Sequence, residues 1–472
     1  MTEEQDKDHK DNKAERRGVM RWLTALCVRY VERLMPDPYL FAVILTLLVA
    51  GLVALLVRGA TPSGALKAWY GGVWGSQNIF TFAFQMVLIL VTGYTLAEAP
   101  VLKRAIVYIA SKPRNQVEGA LLCFGVSAVL SLLNWGLGLV SGALVARQVA
   151  KRLTGAHFGY LIGAAFMGFI VWTQGLSSSI ALANTDASSP INVIHKMTGA
   201  NVPLTLTIFQ PYSWVSAIVV LALLAIAIWR MAPAESLAPD PAVFEEPEAA
   251  PTPGKRTFAE WLENLWILNV LVFAAGITYF VLSGFQLNIS SMIMLFTVTS
   301  ALLHRTPIRF IRAFSGAAKV SGPLLLQYPL YGGIVGLLGY LPTGSGKPLQ
   351  TVLAEALVTG ANQYTLPFLT FVGSVIISLF VPSGGGHWGV QGPIAVSSAL
   401  ALHQHSPAYL GLISMAVAIG EGVANMIQPF WLLPLLAIAK LNVRQVMGFT
   451  VIAFLIGFAV SSAAVLIAPH VL

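Results

Sequence analysis

The segment Val381-Pro-Ser-Gly-Gly-Gly-His-Trp-Gly-Val-Gln-Gly-Pro393 gathers groups able to hold small ions and to move protons. It offers the hydroxyl of Ser383, bare backbone at Gly384, Gly385 and Gly386, the imidazole of His387 and the amide of Gln391. Strongly apolar stretches flank it on both sides. Each glycine in a helix interior costs about 1 kcal/mol against alanine, so three in a row predict unwound backbone. Inside a bilayer such backbone persists only where protein buries it or a watery cavity wets it. The segment therefore reads as a re-entrant loop tip facing a cavity, where a membrane carrier would hold what it carries.

Polar residues interrupt other apolar runs in the same manner. Asn134, Trp135 and Gly136 form one such point, and Trp172-Thr-Gln-Gly-Leu-Ser-Ser-Ser179, with Ser177 and Ser178, forms another. Gly420-Glu-Gly-Val-Ala-Asn-Met-Ile-Gln-Pro429 contributes Glu421, Asn425 and Gln428. Burying an ionisable group in a membrane costs several kcal/mol, which makes His387 and Glu421 functional candidates by default. Histidine changes charge near neutral pH and a glutamate can carry a proton, so either suits proton coupling. No aspartate lies in a tip to advertise sodium, although tip carbonyls and Asn or Ser oxygens could hold Na⁺. The competing roles are structural: a neutral histidine bonded to backbone, a protonated acid bonded across helices, and small or amide residues that pair helices.

Composition sets these groups in lipid. Hydrophobic residues make up 56% of the 472 and charged residues 10%, against roughly 25% charged in soluble domains. The chain is read as an all-α polytopic membrane protein. Its net charge of +8 does not point to nucleic acid, because the basic residues sit in short loops between apolar runs, as the positive-inside rule expects. Cys27 and Cys123 show no spacing pattern and predict neither disulfide nor metal site. No cofactor is implied, apart from a coupling H⁺ or Na⁺.

Residues 1–35 read as a polar cytoplasmic tail followed by a basic amphipathic helix on the membrane surface. Runs of about 20 apolar residues fall near 38–57, 78–98, 158–185, 204–230, 262–283, 286–304, 320–341, 408–438 and 446–468. Shorter paired arms flank two tips, giving hairpins at 118–150 and 366–403. A linker at 232–258, rich in proline, alanine and glutamate, is placed in the cytoplasm. It divides a first transmembrane repeat, 36–231, from a second, 259–472. Loop charges make the two hairpins enter from opposite faces. Each is followed by a broken helix, 158–185 or 408–438, with about forty residues from tip to break in both halves. Duplicated halves of opposite orientation with broken helices point to a midplane transport site. Val101–Ser111 and Leu349–Gly360 read as horizontal interfacial helices. Gly71-Gly-Val-Trp-Gly75 and Gly332-Gly-Ile-Val-Gly336 read as small-residue packing faces.

From about Pro36 onward the chain resembles the bacterial short-chain fatty acid transporter family, the acetoacetate and butyrate carriers. The resemblance rests on Leu34-Met-Pro-Asp-Pro38, Asn134-Trp-Gly-Leu-Gly138, Val381-Pro-Ser-Gly-Gly-Gly-His-Trp388 with Gln391-Gly-Pro393, and Asn425-Met-Ile-Gln-Pro-Phe-Trp431. It implies carriage of small monocarboxylates across the cell inner membrane. The fold implied is that of the wider ion-transporter superfamily: inverted repeats with paired hairpins, elevator motion in several members, and a possible homodimer. A monocarboxylate needs hydrogen-bond donors for its head and a small apolar pocket for its tail. Backbone N–H groups at the tips and half-helix N-termini, where the dipole favours an anion, could supply the first, helped by Asn134, Ser177, Ser178, Ser383, Asn425 and Gln428. Trp135, Trp172 and Trp388 could wall the second. The expected function is ion-coupled secondary active uptake of short-chain acids, with the N-terminus cytoplasmic. The rivals are a passive channel or facilitator, and a membrane-embedded enzyme using His387 and Glu421 as acid and base.

Overall fold

Many helix starts in this chain are marked by proline or a capping side chain ahead of an apolar run. Pro62, Pro100, Pro211, Pro307 and Pro407 stand in first turns, where a missing N–H costs nothing. Asn115, Asn134, Ser178, Ser383 and Ser406 each accept a first-turn N–H, satisfying donors that the helix itself leaves over. A computed structural model describes residues 38–75, 78–244, 257–342, 346–379, 381 and 383–472.

The first part holds α1 (Pro38–Leu56), α2 (Pro62–Val73), the long apolar α3 (Phe80–Ala97) and the short α4 (Pro100–Ala110). A hairpin follows, α5 (Gln116–Leu133) and α6 (Trp135–Arg152), turned by Asn134 alone. Next, α7 (Phe158–Gly168) tightens into a 3-10 segment, Phe169–Gln174, opens at Gly175 and resumes as α8 (Ser179–Asn184). The one-turn α9 (Val193–Thr198) and α10 (Pro211–Met231) complete this part. The second part runs through α11 (Phe258–Glu263), α12 (Ile267–Leu282), α13 (Ile289–Leu303), α14 (Pro307–Ala318), α15 (Gly322–Leu338) and α16 (Leu349–Val358). A second hairpin, α17 (Leu366–Ser378) and α18 (Gly384–Ala401), precedes α19 (Pro407–Ala424), a non-helical stretch, α20 (Leu433–Ala439) and α21 (Arg444–Ile467). The succession of hairpin, interrupted helix and short helix thus occurs twice. Besides helices, the described residues hold one isolated bridge, between His157 and Leu237.

Six segments among the described residues are long and apolar enough to cross a membrane: 80–97, 116–133, 158–184, 211–231, 407–424 and 444–470. Burial sorts them. Apolar 18-residue stretches of the interrupted helices 158–184 and 407–424 are 89% buried, whereas those of 116–133, 211–231 and 444–470 are 33–39% buried. The two interrupted helices therefore form the centre. Glycine lets each lie on its own hairpin: a Cβ at Gly168 would stand 2.4 Å from Phe124 O of α5, and one at Gly420 would stand 2.8 Å from Phe371 O of α17. A third glycine contact joins α2 to α15. A Cβ at Gly72 would meet Gly332 O at 2.1 Å, and one at Gly332 would meet Gly72 O at 2.4 Å. The two small-residue faces pack on each other.

The structure corrects the sequence reading at several points. Gly384, Gly385 and Gly386 are not unwound; they form the first turn of α18, which Ser383 caps. The physical reason is steric: each of the three lies too close to a neighbour for a side chain. Gly420, Glu421 and Gly422 likewise remain helical, with the second interruption beginning only at Asn425. The apolar run from 204 opens with a 3-10 turn, Leu204–Leu206, and becomes α-helical only at Pro211. Three helices, α2, α9 and α14, have no counterpart in the apolar runs. The basic surface helix expected within residues 1–35 lies outside the described residues, as do residues 245–256 of the linker.

Candidate functional site

Ser383 organises the start of α18. Its Oγ accepts from Gly386 N at 3.4 Å and donates to Tyr328 Oη at 2.6 Å, and its carbonyl accepts from His387 N at 2.6 Å. The three glycines that follow each touch a different neighbour. A Cβ at Gly385 would fall 1.7 Å from Phe82 Cζ of α3, and one at Gly386 would lie 2.8 Å from Tyr331 Cδ2 of α15. A Cβ at Gly384 would meet Ser179 Oγ at 2.5 Å, Trp172 Cη2 at 2.9 Å and Glu421 Oε2 at 3.4 Å. No side chain larger than hydrogen fits these contacts. This close approach offsets the intrinsic helix cost of three glycines. In a first turn, the leading N–H groups have no intrahelical partner, and the helix dipole there favours an anion.

One turn further, a relay of hydrogen bonds orients His387. Gln391 Nε2 donates to Thr370 O at 2.8 Å, so its Oε1 faces His387 Nε2 at 2.6 Å. An oxygen there requires Nε2 to carry a hydrogen, which leaves Nδ1 as the bare nitrogen of a neutral ring. That Nδ1 faces Glu421 Oε2 at 3.9 Å, and both side chains are fully buried. Neither Glu421 oxygen makes a hydrogen bond, and neither do Asn425 Nδ2 or Thr173 Oγ1. Buried polar atoms ordinarily find partners, and here four from three neighbouring residues have none.

The cluster sits where the two interrupted helices meet. Trp172 Nε1 donates to Asn425 Oδ1 at 3.0 Å. A Cβ at Gly422 would lie 2.7 Å from Ile170 O and 2.9 Å from Thr173 Oγ1. Gly422 therefore lets α19 and the 3-10 segment touch backbone to backbone, and Glu421 and Asn425 flank that contact.

The first tip stands apart from this cluster. Asn134 Oδ1 accepts from Leu137 N at 3.0 Å, and Nδ2 donates to Ile89 O of α3 at 3.3 Å. Gly93 and Gly136 allow the approach: their Cβ atoms would stand 2.2 Å from Asn134 Oδ1 and 3.1 Å from Leu90 O. Helix α3 thus passes both tips, Phe82 at one and Ile89 to Gly93 at the other, roughly 10–17 Å apart at 1.5 Å per residue. Aromatic rings span the gap. Trp135 meets Trp431 edge-on at 4.7 Å, Trp431 lies 6.5 Å from Phe169, and Phe169 stacks on Trp172 at 5.6 Å.

Of the residues singled out in the sequence, Ser383, Gly384, Gly385, Gly386, His387, Gln391, Glu421 and Asn425 come together. Asn134, Trp135 and Gly136 reach them only through the aromatic array. Ser177 and Ser178 serve the first interruption: Ser177 N donates to Leu132 O at 3.1 Å, and Ser178 Oγ caps α8 through Ala181 N at 3.4 Å. Gln428 accepts from Phe430 N at 3.1 Å. Trp388 is fully buried and lies beside Gly392 one turn along α18. Sequence reasoning misses Phe82, Tyr328, Tyr331, Thr173 and Ser179 as site residues, yet all five border the cluster. Pro329, inside α15 between the two tyrosines, is the available signal there.

Two open clefts lie elsewhere. One of about 430 Å³, lined by Leu96, Leu176, Phe280, Phe285 and Met292 among others, is apolar. Another of about 150 Å³ lies between Gln85, Asp186, Ser189 and Ser290. Neither is lined by the buried cluster.

Comparison with known proteins places the whole chain among transporters. The model of a family described as short chain fatty acid transporter matches residues 19–467. A protein of Escherichia coli (strain K12), provisionally named as a short-chain fatty acid transporter, is 36% identical over 451 residues, covering 93% of this chain and 96% of its own. A Haemophilus influenzae protein (strain ATCC 51907 / DSM 11121 / KW20 / Rd) with the same provisional name is 34% identical over 455 residues, with the same coverage. Among solved structures, the YdaH transporter of Alcanivorax borkumensis superposes with a TM-score of 0.57 at 18% identity, over 92% of this chain and 98% of that one. MtrF of Neisseria gonorrhoeae, described with a class of antimetabolite efflux pumps, gives a TM-score of 0.53 at 15% identity, over 93% and 96%. At such identities the likeness is one of fold.

Proposed function

This chain belongs to the short-chain fatty acid transporter family, a multi-pass membrane transporter family rather than an enzyme family, and from that premise we propose that it is a secondary active carrier. Its substrates are small monocarboxylates of the acetoacetate and butyrate class. Uptake across the cell inner membrane proceeds by alternating access and is driven by an ion gradient.

One observation carries the reading. The N-terminus of α18 and the unsatisfied side chains of Glu421, Asn425 and Thr173 converge where the two interrupted helices touch. A helix start favours an anion, and the leading N–H groups of Gly384 and Gly385 suit a carboxylate head. The rings of Trp172, Phe169, Trp431 and Trp135 supply apolar surface for a short tail. A longer or doubly charged acid has no second basic group here to meet its far end.

The architecture consistent with this role is a pair of inverted repeats, 36–231 and 259–472, whose re-entrant hairpins α5–α6 and α17–α18 move together in an elevator-like step. The linker 232–258 and the N-terminus lie in the cytoplasm, and two copies form a dimer.

Purified protein in liposomes tests the proposal. Labelled acetoacetate is expected to accumulate above equilibrium under an imposed ion gradient and to leak back when the gradient is collapsed. Uptake that only equilibrates makes the protein a passive facilitator instead. In thermal-shift measurements, butyrate and acetoacetate should stabilise the protein, by about 2.7 kcal/mol at a hundredfold excess over Kd, and succinate should not.

A further inference from the structure

We propose that the His387–Glu421 pair holds one proton whenever a carboxylate occupies the site, so that the carrier moves the anion and the proton together without net charge. The inference rests on the carrier reading above and names its coupling ion and stoichiometry.

Three observations support it. First, the relay from Thr370 O through Gln391 fixes His387 Nε2 as a donor, so the bare Nδ1 faces the Glu421 carboxyl at 3.9 Å. A single added proton makes this pair neutral, whichever member carries it. Second, Glu421 Oε2 lies within 3.4 Å of the position a Gly384 Cβ would take, beside the N–H groups offered to the substrate head. An ionised Glu421 and a bound carboxylate would therefore be like charges side by side in a fully buried site, where two carboxylates cannot both stay ionised. Third, among the described residues nothing else nearby neutralises them. The titratable groups facing Glu421 are His387 from α18, and Tyr328 and Tyr331 from α15. By sequence, α17, α8 and the 3-10 segment carry no ionisable side chain. In α21 the sole such residue is Arg444, whereas the part of α21 packed beside Val423 is Gly457, about 20 Å along the helix.

The charge balance follows. On this proposal the pair gives up its proton before the empty carrier returns, which leaves one negative charge, on Glu421. Proton binding removes it, carboxylate binding restores it, and the loaded form again holds one negative charge. Release on the far side returns the proton and the anion, and the empty form comes back bearing the charge it started with. The inward step carries one negative charge and the return step carries one back, so the cycle is electrically silent.

The test uses wild-type protein in liposomes with labelled acetoacetate, taking rates above those of protein-free vesicles. An acid exterior at zero potential is expected to drive accumulation approaching tenfold per pH unit. A potassium–valinomycin potential of either sign at equal pH should drive no accumulation. Glu421→Gln should lose the pH-driven component at least tenfold, while its slower exchange of internal for external acetoacetate becomes independent of pH between 6 and 8. Accumulation that follows the potential, or a sodium gradient at constant pH, overturns the proposal while leaving the carrier reading intact. So does a Glu421→Gln protein with wild-type pH-driven uptake. Absence of any protein-dependent uptake or exchange in the wild type overturns the carrier reading itself. Because the potential and sodium experiments need only the wild type, the proposal stays falsifiable even where the variant does not fold.

Discussion

Asn425 Oδ1 accepts a 3.0 Å hydrogen bond from Trp172 Nε1, which ties the second interrupted helix to the 3-10 turn of the first. The bond spans 253 residues of sequence and joins the two repeated successions of elements at their centre. The same contact orients Asn425, whose amide nitrogen stays unsatisfied toward the cluster. The contacts that hold this centre together can be probed one at a time.

Gln391 is the middle of the relay that orients His387. Gln391→Leu removes the acceptor for His387 Nε2 and the donor for Thr370 O in one step. Leaving buried groups unpaired costs about 1–3 kcal/mol each. The variant should unfold at lower temperature in detergent, and the pH dependence of its transport should change because either ring nitrogen can now carry the hydrogen.

Gly385 and Phe82 form the tightest contact at the second tip. Gly385→Ala should cut transport at least tenfold while membrane insertion persists, since the new methyl falls on the Phe82 ring. Replacing Phe82 by alanine in the same chain should recover much of the loss. Transport rates of the single and double variants, normalised to protein in the membrane fraction, check this.

Ser383 both caps α18 and bonds to Tyr328. Ser383→Ala loses both, with the cap alone worth about 1 kcal/mol, whereas Tyr328→Phe loses only the bond. The serine variant should therefore be the less stable of the two in thermal unfolding. Equal stabilities would mean the cap contributes nothing.

Neighbouring glycines of α2 should respond in opposite directions. Gly71 faces open space, so Gly71→Ala should stabilise by about 0.5–1 kcal/mol through helix propensity. Gly72 lies against Gly332 O, and Gly72→Ala should force α2 from α15 and lower the yield of folded protein. Yields and melting temperatures of the two variants, compared side by side, decide the matter.

The apolar segments, both hairpins and both interruptions are legible in the sequence because each depends on local chemistry: runs of apolar residues, a lone Asn134, a Gly-Leu-Ser-Ser break. Local chemistry misleads at Gly384 to Gly386, where glycine reads as a helix breaker. In fact those residues are helical, and glycine is required by neighbours far away in the chain, such as Phe82 and Ser179, which no local rule sees. Helix α2 escapes notice for a related reason. Its glycines and Lys67 interrupt any long apolar run, and its partner is a glycine face on α15. Phe82, Tyr328 and Tyr331 sit within apolar spans, indistinguishable by type from residues that merely pack. Thr173 and Ser179 belong to a segment that the sequence does mark, but only the fold separates them from Ser177 and Ser178, which serve the backbone of the break.

Both hairpin tips rest on α3 through glycine rather than through interlocking side chains: Gly385 under Phe82, and Gly93 and Gly136 at Asn134 and Leu90. Surfaces of that kind lack the knobs that lock one helix into the groove of another. Both tips are therefore held at main-chain distance from one helix, and a side chain added at any of these glycines would disturb a tip and α3 together.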